Sequence, residues 1–299
     1  MVKLSKTNIK DWFEQASILS KALPYMQKYN GKNITVKFGG AAMGEKELSS
    51  SFAKNIVLLK QVGINPVVVH GGGPRIKKML DRLNVKSSFI NGLRITNKET
   101  MSIVEMVLSG SINKELVMEI NKEGGRAVGL SGKDALLVET KKIVPKVKKS
   151  DVKQKTDLGF VGVPNKVNNE FLNWCLESDF IPVISPIGFG QNFDTFNINA
   201  DTMSGSISSS ILSERLIMLT DVDGVLDKKG NLLSQITIKE AKKLIKNGTI
   251  SDGMIPKVET CMEAVKNGVK AAVILNGKLP NSILLEMFTE HGVGTLITN

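Results

Sequence analysis

ITVKFGGAAMGEKELSSSFAKNIVLLKQVGINPVVVHGGGP, residues 34–74, decides the fold. It opens with ITVKF (34–38), a short run apolar on both faces, and closes with PVVVH (66–70), a second run of the same kind. Between them 45–62 has the apolar spacing of a helix, and Gly63 stands where a helix C-cap is expected. Strands apolar on both faces and joined by helices build parallel sheets, because each crossover helix covers one face. The pattern continues outward. RAVGL (126–130), ALLVE (135–139), IPVIS (181–185), LIMLT (216–220) and AAVIL (271–275) read as further strands. Helical patterns cover 74–83, 98–122, 168–178, 201–213, 238–247 and 256–267, two of them closed by Gly248 and Gly268. The fold class is therefore α/β. A polar, glycine-containing stretch, GFGQNFDT (188–195), marks a soft boundary between a first lobe of 31–190 and a second of 191–299. One sheet is expected to run through both.

Composition excludes several classes. The chain has 299 residues, 41% hydrophobic and 23% charged, which is an ordinary globular profile. No run approaches the ~18 uninterrupted apolar residues of a membrane span. The opening MVKLSKTNIKDWFEQ contains Asp11 and Glu14 and no apolar core, so it does not read as a secretory signal. Cys175 and Cys261 lack CxxC spacing, and with two histidines in the chain no zinc site is expected. A reducing cytoplasm is the expected compartment. The net charge of +11 comes from scattered lysines, and aromatics are 5%. The one dense run, Lys141 to Lys155, is interrupted by apolar residues and reads as an exposed hairpin or loop. We expect a solvated basic face rather than a nucleic-acid or membrane partner.

Unusual residues gather where the strands end, which is where open parallel sheets bind ligands. Lys37 lies at the end of an apolar strand and precedes Gly39-Gly40. It is either a snorkelling lysine above a plain turn or the cation of a phosphate cradle whose bare backbone lets N–H groups approach an anion. VVVHGGGP (67–74) puts three glycines before a helix N-terminus, an anion site in principle and a common turn in practice. Arg94, in NGLRITN (91–97), could grip a carboxylate with both arms or simply face solvent. Asp201, in FNINADT (196–202), is of the helix-capping type. In GMIPKVE (253–259), Pro256 suits a first helical turn, where Lys257 opposes the helix dipole by roughly 0.3–1 kcal/mol unless an anion meets it. LTDVDGVLD (219–227) is a nucleotide rim or an acidic turn. Neither GxGxxG nor GxxxxGK[ST] occurs, and His70 and His291 stand beside glycines rather than near a nucleophile. Taken together, the set points to transfer of an anionic group.

ITVKFGGAAM, VVVHGGGP, NGLRIT, FNINAD, LTDVDGVL and GMIPKVE, in this order and spacing, resemble the amino-acid kinase superfamily and, within it, the N-acetylglutamate kinase family. The resemblance covers nearly the whole chain. It implies a three-layer αβα sandwich with a mainly parallel sheet, an acyl-amino-acid lobe at 31–190 and an ATP lobe at 191–299. The implied reaction moves the ATP γ-phosphoryl group to the side-chain carboxylate of N-acetyl-L-glutamate, the second step of arginine biosynthesis. A sister enzyme acting on an N-acylated aminoadipate or another carboxylate is the alternative. By the same resemblance Lys37 and Lys257 look like the lysines flanking the transferring group, and Asp201 like the aspartate that holds both. Gly72, Gly73, Arg94 and Asn197 look like acceptor ligands, and Gly39 and Gly40 like donors to phosphates. Thr220, Asp221, Val222, Gly224, Met254 and Lys257 look like the nucleotide site. ATP would come with Mg2+ held mainly by its phosphates, with no protein metal site. An acceptor carboxylate is already ionised at neutral pH, so no general base is required.

Ahead of the first strand, Trp12, Ala16, Leu19, Leu23 and Met26 recur at helical steps and make one apolar stripe, with Pro24 expected to kink or break the helix. The stripe packs on its own subunit or on a second copy. Residues 1–30 resemble the N-terminal helix of arginine-inhibited relatives, which interlaces dimers into a hexamer. LPNSILLEMFTEHGVGTLI (279–297) resembles their arginine site, with Glu286, Gly292 and Gly294 as its residues, although Asn281 stands where those enzymes usually carry histidine.

Overall fold

The computed structural model describes residues 6–39, 43, 46–90, 92–144, 157–290 and 292–299. Gly40, His291 and most of the Lys141–Lys155 run lie outside them. The chain opens with α1 (Lys6–Tyr29), then alternates β1 (Asn33–Phe38), α2 (Lys46–Gln61), β2 (Asn65–His70) and α3 (Gly73–Arg82). A hairpin of β3 (Phe89–Ile90) and β4 (Leu93–Arg94) follows. Next come α4 (Lys98–Glu105), a π-helical segment (Met106–Ile112) and α5 (Asn113–Lys122). β5 (Ala127–Ser131) leads through a 3-10 turn to β6 (Val138–Lys142), β7 (Val161–Val167) and α6 (Asn169–Glu177). Then come β8 (Ile181–Ser185), β9 (Ile187–Phe189), β10 (Thr195–Ile198) and α7 (Ala200–Ser210). The chain finishes with β11 (Arg215–Thr220), β12 (Gln235–Thr237), α8 (Ile238–Lys246), α9 (Met254–Lys266), β13 (Ala271–Asn276), α10 (Ser282–Phe288) and β14 (Thr295–Thr298).

Eight strands form one sheet in the order β12-β14-β13-β11-β1-β2-β8-β5, parallel except for the β13–β14 pair. Successive strand residues point to opposite faces, so each central strand feeds two cores. Val68 joins Ile56, Leu59 and Leu116 from α2 and α5, whereas Val67 and Val69 join Leu172, Met203 and Ile207 from α6 and α7. Further along that second face, Leu216, Met218, Ala272 and Ile274 pack on α8 and α9 through Ala241, Val258 and Cys261. Each fully buried aliphatic chain contributes about 1.5–3 kcal/mol relative to exposure. The result is helix, sheet, helix. Gly63, Gly248 and Gly268 end their helices with φ of 86°, 73° and 102°, in the left-handed region where glycine avoids a Cβ clash.

Several expectations need correction. Residues 98–122 are not one α-helix: the middle turn is π-helical. ALLVE is not a strand from 135, because Ser131 N–H and Oγ both donate to the Asp134 carboxylate, at 2.6 and 2.7 Å. The chain therefore turns through 134–136, with Ala135 and Leu136 at positive φ, before β6 begins. β6, β7, β9 and β10 close a small barrel that hydrophobic patterning did not reveal. Pro164 masks β7 as a strand; it is accommodated opposite Thr140, beside a register shift in β6. Nor does Pro24 break α1, which runs through it. Most of that helix is exposed, so the Ser20 carbonyl freed by the proline ring can be met by water.

Candidate active site

The parallel ladder brings strand ends to one edge. Phe38 pairs with His70, Lys37 with Met218, and Thr220 with Asn276. Beyond that edge lies a cleft of about 300 Å3 lined by Lys37, Gly72, Gly73, Arg94, Asn197 and Asp201, among others. Sequence-expected residues from four separate motifs therefore share one cavity.

Part of its wall belongs to a carboxylate held between two ammoniums, of which Lys37 and Asp201 line the cleft. Lys37 Nζ is 3.0 Å from Asp201 Oδ1, and Lys257 Nζ donates to Oδ2 at 2.9 Å. The three side chains are 8%, 13% and 22% exposed for Lys37, Asp201 and Lys257, so this is a buried ionic cluster. Burial pushes the Asp201 carboxyl up, but the two lysines outweigh it and hold the group below the usual carboxylate range. Asp201 lies in the first turn of α7, where the helix dipole also favours a negative charge. It does not cap that helix. Asn199 does, its side-chain oxygen accepting from Asp201 N–H at 2.8 Å and Thr202 N–H at 3.2 Å. The capping residue of this segment is thus two places earlier than its acidic member, which frees the aspartate for the lysines. Asn199 is of the preferred capping type and could have been found by that signal.

Glycines are required where backbones close in. A Cβ on Gly39 would sit 3.2 Å from Lys37 Cε and Nζ, filling the space over the ammonium. A Cβ on Gly72 would lie 2.5 Å from Ile112 and 2.6 Å from Leu108. Gly72 is the N-cap of α3, followed by Pro74, so free N–H groups face the cleft beside Lys37. A phosphate would fit such a strip, since the donors carry no side chains and the adjacent lysines supply the charge.

Arg94 is buried and held by Ser87 Oγ and by the Gly73 carbonyl at 3.3 Å, with its guanidinium carbon 4.5 Å from the centre of the Phe89 ring. Burial works against its charge, and Asp81 offsets this only through space. No carboxylate pairs with Arg94 among the described residues, which leaves a buried cation facing the cleft. Asn197 on β10 donates to Thr96 Oγ1 at 3.3 Å. Ser87, Phe89 and Thr96 carry no sequence signal for these roles; the β3–β4 hairpin and the barrel bring them in.

The 220–224 turn does not line this cleft. Thr220, at the end of β11, accepts Gly277 N–H on its carbonyl and donates its hydroxyl to Asp221, while Asp223 accepts from Asn276. Val222 is exposed, and Gly224 has φ 148° with Thr295 pressed against it. Met254 begins α9, one turn before Lys257. Glu286, Gly292 and Gly294 form a separate group. The Glu286 carboxylate packs over Gly292, and Gly294 packs on the Ile274 carbonyl. Burial pushes the Glu286 carboxyl up against the opposing pull of Arg215 and the Val293 N–H. Asn281 is turned toward α2, its oxygen accepting from Asn55 at 2.9 Å.

The sequence profile of the amino acid kinase family matches residues 32–276. An acetylglutamate kinase of Parvibaculum lavamentivorans is 56% identical over 95% of this chain and 94% of its own length. Those of Rhodospirillum rubrum and Ehrlichia chaffeensis are 54% and 49% identical over 96% and 97% of this chain, and over 93% and 91% of theirs. Among solved structures, N-acetylglutamate synthase of Neisseria gonorrhoeae with coenzyme A and N-acetyl-glutamate superposes with a TM-score of 0.84 at 24% identity. The match covers 95% of this chain and 63% of that one. Carbamate kinase of Giardia lamblia superposes at 0.63 with 16% identity, over 90% of this chain and 98% of that one. Both share the fold.

Proposed function

This chain belongs to the amino acid kinase family, and on that premise we propose that it transfers the γ-phosphoryl group of ATP to the side-chain carboxylate of N-acetyl-L-glutamate. It is a kinase of small carboxylates, and the product is an acyl phosphate. The observation that carries the reading is the Lys37–Asp201–Lys257 cluster at the sheet edge, beside a cleft holding a buried arginine that no carboxylate pairs among the described residues. Near-full-length relatives named acetylglutamate kinase support the acceptor.

The chemistry follows from charge. The acceptor oxygen is already an anion, so the barrier is its repulsion from the phosphoryl group rather than a missing base. Arg94 binds the acceptor's α-carboxylate, Asn197 its amide, and the Gly72–Gly73 strip the oxygens near the reacting end. Lys37 and Lys257 neutralise charge spreading over the transferred group, and Asp201 spaces them without abstracting a proton. Thr220–Gly224 and Met254 border the nucleotide, Gly39 and Gly40 donate to its phosphates, and 31–190 and 191–299 act as acceptor and nucleotide lobes, with Asn197 reaching the acceptor from the second lobe. Mg2+ accompanying ATP would supply further charge neutralisation.

Trp12, Phe13, Leu19 and Leu23 are exposed rather than packed on their own subunit, which supports pairing of α1 with a second copy in a hexamer. The Glu286 group, with α1 against α10, supports an arginine effector site away from the cleft. The proposed setting is cytoplasmic, and no helix among the described residues is long and apolar enough to cross a membrane.

The test is ADP release with N-acetylglutamate, N-acetylaminoadipate, glutamate and carbamate in turn, trapping acyl phosphate with hydroxylamine. We expect N-acetylglutamate to give the highest kcat/KM and a hydroxamate. Preference for any other acceptor refutes the assignment.

A further inference from the structure

His70 closes β2 immediately before the glycine strip, and it is fully buried. Its Nδ1 lies 2.9 Å from the Gly71 carbonyl oxygen, and its Nε2 lies 3.2 Å from Asn113 Nδ2. Two backbone carbonyls set the orientation of the Asn113 amide, although its Oδ1 is then buried with no hydrogen-bond partner among the described residues. The same Nδ2 is 2.8 Å from the Val183 carbonyl and 3.4 Å from that of Leu130, and carbonyls only accept, so that atom is a donor. Nε2 must then accept, which leaves the ring proton on Nδ1, donated to Gly71. Burial lowers the His70 pKa to about 4, against a smaller opposing pull from the Gly71 carbonyl, so the ring is neutral near pH 7.

This bond orients a peptide plane. The Gly71 N–H is already committed to the Phe38 carbonyl at 2.8 Å, and the Gly71–Gly72 peptide is trans. In a trans peptide the C=O and N–H point in opposite directions. Turning the Gly71 carbonyl inward to His70 therefore turns the Gly72 N–H outward, and Gly72 lines the cleft.

A second contact comes from the same place. In the π-helical segment Met106–Ile112 the Asn113 N–H closes on the Leu108 carbonyl, one residue wider than an α-turn. That segment sets Leu108 and Ile112 against Gly72 and delivers Asn113 to His70. One irregular turn thus grips both the glycine and the histidine before it.

We infer, resting on the transfer reaction proposed above, that His70 and Asn113 are positioning residues which lock the Gly71–Gly72 peptide with its N–H toward the acceptor and the transferring phosphoryl group. His70 touches no reacting atom; it acts through Gly72.

Two measurements test this. Full-length protein labelled with 15N-histidine reports the tautomer directly, and His291→Gln leaves His70 as the single imidazole for assignment. A protonated Nδ1 with a bare Nε2 near pH 7 is expected. An Nε2–H tautomer, or a ring that titrates near neutrality, overturns the inference. This readout needs no activity, so it stands apart from failure of the acceptor assignment. Kinetically, Asn at position 70 can place its amide NH where Nδ1–H stands, whereas Leu cannot. His70→Leu is expected to lower kcat about 10–100-fold, the scale of a misaligned donor. KM for ATP should stay within about twofold and His70→Asn should recover most of the loss. Equal losses in the two variants, or a KM for ATP that moves as far as kcat, refute a positioning role.

Discussion

Asp201→Asn removes one charge from a buried cluster of three while preserving shape. At an effective dielectric near 20, each lysine attracts a carboxylate at about 3 Å by roughly 5 kcal/mol before desolvation is subtracted. With the carboxylate gone, the two ammoniums lose the counter-charge between them. Lys257 can swing toward water, but Lys37, 8% exposed, cannot. Breaking a buried ion pair from one side costs about 3–5 kcal/mol, and we expect that range here. At about 2.1 cal/mol/K of unfolding entropy per residue over 299 residues, this lowers Tm by roughly 5–8 °C. A non-hydrolysable ATP analogue should raise Tm more in the variant than in the wild type, because its phosphates meet lysines with no competing carboxylate. The kcat should fall about 10²-fold or more as both donors lose their spacing. The pH dependence has a definite sign. Burial raises the Asp201 pKa, but the lysines prevail and its folded pKa lies below the ordinary value. Its contribution is therefore present above the ordinary carboxylate pKa and is lost as pH falls through the depressed folded value. Wild-type stability should drop more steeply than that of the variant on acidification below about pH 4. Thermal unfolding with and without analogue, and coupled ADP release, measure all of this. A variant with unchanged Tm and kcat within about threefold refutes the reasoning.

Lys37→Ala or Lys257→Ala should each lower kcat by ~10²-fold or more in the same coupled assay, the scale of a lost transition-state donor; near-normal turnover in both contradicts the mechanism. Arg94→Lys should raise KM for N-acetylglutamate far more than KM for ATP, because the two-armed guanidinium is lost from a site already braced by Ser87 and Gly73. Equal changes for both substrates would remove Arg94 from the acceptor site. Deleting residues 1–26 should give active dimers insensitive to arginine, measured by light scattering and inhibition curves. A full-length protein that is itself dimeric refutes interlacing through α1.

Much of the site was legible because its signals are local. A lysine ending an apolar strand, glycines before a proline-started helix, and a lysine in a first helical turn each violate a short-range preference. Such violations show in a few residues. The Asp201 role could not be read this way, since an aspartate and an asparagine at a helix start carry the same capping signal. Only the paired lysines, delivered by β1 and α9, separate them.

The sequence by itself determined the alternation of strand and helix, the glycine-capped helix ends and the edge at which ligands bind, because burial pattern and backbone freedom act over a few residues. Tertiary structure decided the rest. Lys37 and Asp201 lie more than half the chain apart and meet because strand order sets β1 and α7 side by side. The barrel around Asn197, the hold of the Gly73 carbonyl on Arg94 and the π turn behind Gly72 depend on contacts between separate segments. No local preference encodes them: a π turn is unfavourable in isolation and persists only where packing on Gly72 and a buried amide repays its strain.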